Sequence, residues 1–260
     1  MKRFCAIFKP RSRELMRTLM RMELSLMEQG TLFGFVLSFL NNILMLLVFH
    51  ALFVTRFISE VPNTWVYLLL GIVQWNLYMN ISLAGFACFV YRQKLVMGYS
   101  FPREKLILAR TAAIFVPYII ELTLILGVAR YFHLPFTWKY AWLPLFLLNQ
   151  FLFCAAICAV FAFVGVLHKN IIPFWNLMFR LLSFATPIFY IPFHFKTWWV
   201  EGLYNLNPFT IFMLWVRDIA GANGFAFESK PLNITLASAA MFLGAYLLFR
   251  IMEARVGDNL

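Results

Sequence analysis

The stretch that decides the fold runs Pro187-Ile-Phe-Tyr-Ile-Pro192, through a Trp-rich segment to Tyr204, then Asn205-Leu206-Asn207-Pro208-Phe209-Thr210, and on to Trp215-Val216-Arg217-Asp218. It lies between two segments long enough to span a bilayer, yet it is neither a plain hydrophilic loop nor a span. Pro187 and Pro192 close the helix before it. Asn207 is a good N-cap and Pro208 a good first helical residue, so a short helix is expected from there. Gly221, Asn223 and Gly224 then break it. From Phe209 to Ala220 that helix measures about 18 Å at 1.5 Å per residue, too short for a hydrocarbon core of about 30 Å. The expectation is two short helices that dip into the membrane face and return. Irregular backbone at such depth is tolerated where protein covers it or where it lines a cavity.

Composition sets the class. The chain has 260 residues, 63% of them hydrophobic and 13% charged, with a mean hydropathy of +0.79. Apolar runs of spanning length recur, so the chain reads as an all-α polytopic membrane protein with six transmembrane helices. The formal charge of +11 is not a nucleic-acid signature, because the basic residues sit between spans. Met1 to Phe8 has no apolar run of the kind that precedes a cleavage site. Cys5, Cys88, Cys154 and Cys158 form no disulfide framework or metal spacing and read as small packing residues.

Residues 1–31 form an N-terminal segment carrying an amphipathic interface helix. Leu15, Leu19, Met22 and Leu26 share one face, and Arg13, Arg17 and Arg21 form a stripe on another, which suits the membrane surface. The six-span domain is 32–260. Span one covers about 32–55, with Gly30 and Gly34 at GxxxG spacing and Ser38, Asn41 and Asn42 inside it. Buried amides need partners, either another helix or water in a pore. Span two covers about 64–91, with Gln74, Asn76 and Asn80. A basic loop, 92–105, follows. Span three (106–128) contains Glu121, span four covers 142–167, span five 171–189 with Trp175, Phe179, Arg180 and Tyr190 at its end, and span six 232–251. With both termini inside, the inner segments hold most of the Lys and Arg, including Arg13, Arg17, Arg21, Arg92, Lys94, Arg103 and Lys105, which fixes the orientation. The opening stretch is then extracytoplasmic.

The sequence contains no GxxxxGK[ST], HExxH or GxSxG motif and no paired carboxylates at catalytic spacing. The intramembrane charges say more. A charge at a helix centre costs about 2.5–3.5 kcal/mol, so Arg180 and Glu121 need partners or water. They do not lie level by helical rise, so a direct pair needs an extended arginine. Arg180 suits a wet path and an anionic group such as a lipid phosphate, because its charge is permanent and its fork bidentate. Snorkelling or structural pairing is the competing reading.

The order of these parts resembles the membrane subunit of type-2 ABC exporters, in the branch of O-antigen, capsule and teichoic acid permeases. The resemblance rests on the interface helix, six spans, Phe101-Pro102-Arg103 in the loop after span two, the long segment after span five, and Tyr204-Asn205-Leu206-Asn207-Pro208 followed by Trp215-Val216-Arg217-Asp218. Gly34-Phe35 matches a Gly-aromatic pattern at the start of span one. Two departures stand out: Asn42 where the family often has a mid-span proline, and two extra residues before Asn207-Pro208.

The resemblance implies a homodimer with two copies of a separate ABC ATPase subunit, which would bind ATP and magnesium; this chain itself would hold no cofactor and would not be an enzyme. It implies a multi-pass protein of the bacterial inner membrane, with no nucleic-acid partner. Arg92, Lys94, Phe101, Pro102 and Arg103 would couple to the ATPase. Asn41, Asn42, Trp175, Phe179, Arg180 and Tyr190 would line the substrate channel. An extracytoplasmic gate region, 193–224, would contain Asn207, Pro208, Trp215, Arg217 and Asp218. The cargo would be a lipid-linked glycan moved outward. Alternatives are a type-2 ABC permease for another amphiphile (a lipid, a drug or a haem-related cargo) and a membrane-embedded enzyme acting on lipid-linked sugars.

Overall fold

The computed structural model describes residues 10–26, 32–57, 63–90, 103–134, 137–168, 170–191, 207–222 and 231–259. Eight α-helices occur among them: α1 (Pro10–Leu26), α2 (Leu32–Phe57), α3 (Thr64–Val90), α4 (Glu104–Tyr131), α5 (Leu143–Leu167), α6 (Ile172–Ala185), α7 (Pro208–Ala220) and α8 (Pro231–Asn259). A 3-10 turn, Trp138–Trp142, leads into α5. No strand occurs among the described residues. Arg92, Lys94, Phe101 and Pro102 of the expected coupling loop lie outside the described residues, and so does 192–206, where the first of the two short outer helices is expected.

Four helical stretches are long and apolar enough to cross a bilayer: Thr64–Val90, Glu104–Tyr131, Trp138–Leu167 and Pro231–Arg250. The chain is therefore a multi-pass membrane protein. α2 has 26 residues, about 39 Å at helical rise, with its apolar centre at Val36–Leu52. α6 differs from expectation. It has 14 residues and ends at Ala185, short of Phe189. Thr186 adopts φ −107°, ψ 136°, the extended conformation that a residue preceding proline prefers, and Pro187 has no N–H with which to continue the helix.

α3 is the hub. It packs on α2, α4, α5 and α7, and its residues from Val66 to Phe89 are almost all buried. Asn63 starts it, its side-chain oxygen accepting from Val66 N at 3.1 Å. Glycines set its approach to α5. A Cβ on Gly165 would lie 2.5 Å from Phe86 O, and one on Gly85 would lie 2.8 Å from Cys158 O. Apolar helices gain nothing from hiding apolar surface in lipid, so close backbone contact through small residues is one of the few attractions available. Cys88, Cys154 and Cys158 are buried and form no disulfide among the described residues, consistent with packing roles. Polar pairs add interhelical ties: Asn149 Nδ2 donates to Thr235 Oγ1 at 3.1 Å, and Ser238 Oγ donates to Asn149 Oδ1 at 2.6 Å, joining α5 to α8.

α1 is the amphipathic helix its sequence predicts. Arg17 and Arg21 are exposed, Leu15, Met16 and Met22 are half-buried, and Leu19 is buried. The structure adds its anchor. Glu23 is fully buried, and Arg110 Nη1 of α4 donates to its Oε2 at 2.7 Å. Breaking a buried pair leaves an uncompensated charge and costs roughly 3 kcal/mol. Glu23→Ala is therefore expected to lower the melting temperature of the detergent-purified chain, and the swap Glu23→Arg/Arg110→Glu to recover part of the loss. An unchanged melting temperature in Glu23→Ala would show that the pair does not hold α1 in place.

Candidate functional site

The stretch 186–191 and α7 form one assembly with the Thr64 end of α3. α7 begins as its sequence requires. Asn207 is extended, and its Oδ1 accepts from Phe209 N at 3.0 Å. Its Nδ2 donates to Thr186 Oγ1 at 3.2 Å, so the N-cap also binds the end of α6. α7 ends at Gly221, whose φ of 69° favours glycine; Gly221 N bonds Asp218 O at 3.1 Å and Ala222 N bonds Arg217 O at 2.9 Å.

The packing of α7 defines its slope. Phe209 meets Tyr78 at 4.8 Å between ring centroids and Phe153 at 5.6 Å. Tyr78 stands 14 residues into α3, about 21 Å from its Thr64 end. Trp215 is fully buried and meets Phe146 edge-on at 5.4 Å. At the far end, Lys139 Nζ donates to Asp218 Oδ1 at 2.6 Å. α7 thus climbs from the middle of the helical layer to the level of the 3-10 turn.

Arg217 lies at the centre of this assembly and is fully buried. Its Nε donates to Tyr67 O at 3.2 Å, Nη1 to Pro187 O at 2.7 Å and Nη2 to Ile188 O at 2.9 Å. The guanidinium lies 3.5 Å from the Tyr67 ring centroid, a cation–π contact. Tyr67 Oη in turn donates to Tyr190 O at 2.9 Å, and Tyr190 Oη to Phe184 O at 2.8 Å. Phe49 of α2 stacks on Phe189 at 3.9 Å. Among the expected residues, Asn207, Pro208, Trp215, Arg217 and Asp218 start or lie on α7, and Tyr190 is joined to Arg217 through Tyr67.

The other expected channel residues divide into two groups. Asn41 on α2 and Arg180 on α6 are exposed. Asn42 is buried, donating through Nδ2 to Glu121 Oε2 at 3.3 Å and accepting from Asn76 Nδ2 at 2.6 Å. Glu121 thus meets Asn42 rather than Arg180. Phe179 is buried against Trp75 at 4.2 Å. Trp175 is half-buried, and its Nε1 donates to Ser82 Oγ at 2.9 Å. Arg103 precedes α4 in helical conformation.

Sequence reasoning missed three contributors: Tyr67, Gly71 and Lys139. Gly71 had a usable signal, since an isolated glycine inside a helix often marks a close approach. A Cβ there would run into Arg217 Nη2 and lie 3.2 Å from Ile188 O. Gly71→Ala is therefore expected to displace the guanidinium. Arg217→Lys, which cannot present three donors in a fixed fork, is expected to loosen 187–191 to a similar degree. Both should raise the labelling rate of a cysteine placed at Ile188, and the double variant should cost less than the sum of the singles, because the two changes act on one contact. Strict additivity would show that Gly71 and Arg217 act separately.

The profile of the ABC-2 type transporter family matches residues 14–220. An O-antigen export system permease protein RfbA of Myxococcus xanthus is 26% identical over 179 residues, 68% of each chain. A protein of the same description from Klebsiella pneumoniae is 20% identical over 239 residues, 90% of this chain and 88% of that one. A second from Klebsiella pneumoniae is 19% identical over 211 residues, 79% of this chain and 80% of its own. The family match runs from Glu14 within α1 to the end of α7, taking in Arg217 and every helix between, and the chain belongs to the ABC-2 type transporter family.

Proposed function

We propose that this chain is the permease subunit of an ATP-driven exporter that moves a lipid-linked polysaccharide out of the cytoplasm. The observation that carries the path is the pair Asn41 and Arg180. Both are exposed on faces that are otherwise apolar: Leu37, Leu40 and Leu44 around the first, Leu177, Leu181 and Phe184 around the second. An arginine within a span costs about 2.5–3.5 kcal/mol against lipid. A second copy of the chain, enclosing a wet path between the two, removes that cost. In this reading Asn41 and Arg180 face the path, Trp175 and Tyr190 flank it, and Asn42 and Phe179 brace its wall from behind.

The slope of α7 supports a re-entrant helix, with Asn207, Pro208, Trp215, Arg217 and Asp218 in an extracytoplasmic gate. The names of the relatives favour a glycan of the O-antigen class over other amphiphiles. The sequence contains no phosphate-binding GxxxxGK[ST] loop, so a separate ATPase subunit, in two copies per homodimer, would bind ATP and magnesium. It would seat on the 92–105 loop beside α1, and the assembly would sit in the bacterial inner membrane with both termini cytoplasmic.

Mild-detergent purification from native membranes is expected to recover a nucleotide-binding subunit in equal amount, with ATPase activity. Arg180→Gln is expected to assemble normally and to lower surface glycan at least about tenfold, in line with the loss of a charge-assisted contact. Recovery of the chain without an ATPase would overturn the exporter reading. Wild-type glycan in Arg180→Gln would overturn the placement of the path.

A further inference from the structure

A second polar feature lies away from the Arg217 assembly. A small cavity sits between α2, α3 and α4, lined among others by Ser38, Asn42, Asn76, Asn80, Tyr118 and Glu121. Helical rise puts it near mid-membrane: Glu121 is 17 residues from the start of α4, about 25 Å, and 10 residues from its end, about 15 Å. Glu121 is 7% exposed. Asn42 Nδ2 donates to its Oε2 at 3.3 Å, and Asn76 Nδ2 donates to Asn42 Oδ1 at 2.6 Å. Ser38 of α2 lines the same cavity as the carboxylate. The donors run in one direction, from α3 through α2 to the carboxylate. No basic side chain lines the cavity, and among the described residues no salt bridge reaches Glu121.

Neutral donors distribute a negative charge but do not cancel it. Carboxylates inside a membrane that lack a basic partner mark ion or proton sites. Charge and size then select the ligand. A monovalent cation brings the site to neutrality, whereas a divalent one would leave a net charge in the hydrocarbon. The cavity leaves about 20 Å³ for the centre of a guest, enough for one water or small ion and far too little for a sugar ring. Oxygen atoms of Glu121, Ser38 and Asn80 suit a hard cation.

We propose that the Glu121 cavity binds one small monovalent cation, a proton or a sodium ion, and that occupancy ties α2 to α4. Ser38 and Asn42 from α2, Asn76 and Asn80 from α3, and Tyr118 from α4 face the carboxylate; Tyr118 is the other titratable group lining the cavity. Tyr118 donates to Gln74 Oε1 at 2.6 Å, away from Glu121.

The test uses the full chain in detergent. Thermal unfolding is followed with sodium chloride against choline chloride at equal ionic strength, from acid to alkaline pH, alongside infrared spectra in the carboxylic-acid carbonyl region. A melting temperature that rises with sodium in the wild type but not in Glu121→Gln identifies sodium. Indifference to sodium, with a protonated-carboxyl band that Glu121→Gln removes, identifies a proton. If Glu121→Gln does not fold, Ser38→Ala serves instead, with a shift of about threefold in the half-saturating cation concentration expected from the loss of one lining oxygen, comparable to one polar contact inside a membrane. Indifference to sodium together with no protonated-carboxyl band attributable to Glu121 would overturn the proposal. None of these readings depends on the cargo or on a partner ATPase.

Discussion

A guanidinium with no carboxylate opposite it among the described residues holds α7 against α3 and 187–188. Burying such a group is costly unless hydrogen bonds replace its water. Arg217 obtains them from three main-chain carbonyls, those of Tyr67, Pro187 and Ile188. The exchange serves both sides. Pro187 and Ile188 lie where α6 has stopped, so their carbonyls have no helical partner, and buried carbonyls persist only when something hydrogen-bonds them. The space for the arginine exists because residue 71 lacks a side chain. Tyr67, which accepts from Arg217, also seats Tyr190, and beside it Asn207 ties the start of α7 to Thr186 at the end of α6.

The same economy governs the interior. Helices in lipid are held by packing, small residues and polar ties rather than by hiding apolar surface. One network runs from Tyr118 through Gln74 and Tyr78 to Gln150, joining α4, α3 and α5. Ser82 and Trp175 join α3 to α6. α1 outside the bundle is tied by charge, through Glu23 and Arg110. Each helix of the body thus has at least one polar contact that fixes its rotation, where apolar faces alone would allow it to slide.

Features set by neighbouring residues could be read directly from the sequence. Asn207 followed by Pro208 announces the start of α7, Gly221 its end, and the 3.6-residue stripes of α1 its exposed and buried faces. α6 stops before Phe189 because Thr186 precedes a proline: Pro187 marks the close of the helix in the sequence, although the apolar run continues to Phe189. Partners distant in sequence could not be read. Arg217 and Tyr67 are 150 residues apart, and Asn42 and Glu121 are 79 apart. Helical rise showed that Arg180 and Glu121 are not level, but it could not show which helix faces Glu121. Glu23 had a sign that went unused: it follows Leu19 by four residues, so a carboxylate stands on the apolar face of α1, where only a cation would make it welcome.

The crossing of α3 and α5 at Gly85 and Gly165 has a mechanical consequence. There the backbones already touch, so the helices cannot come closer, and drawing them apart would open a void that no side chain is present to fill. Sliding one along the other would drive each glycine notch against a neighbouring Cβ. The pair therefore behaves as a stator. Any movement falls to elements seated around it; α6 meets α3 through Trp175 and Phe179, and the chain beyond its far end is pinned through Thr186 and Arg217.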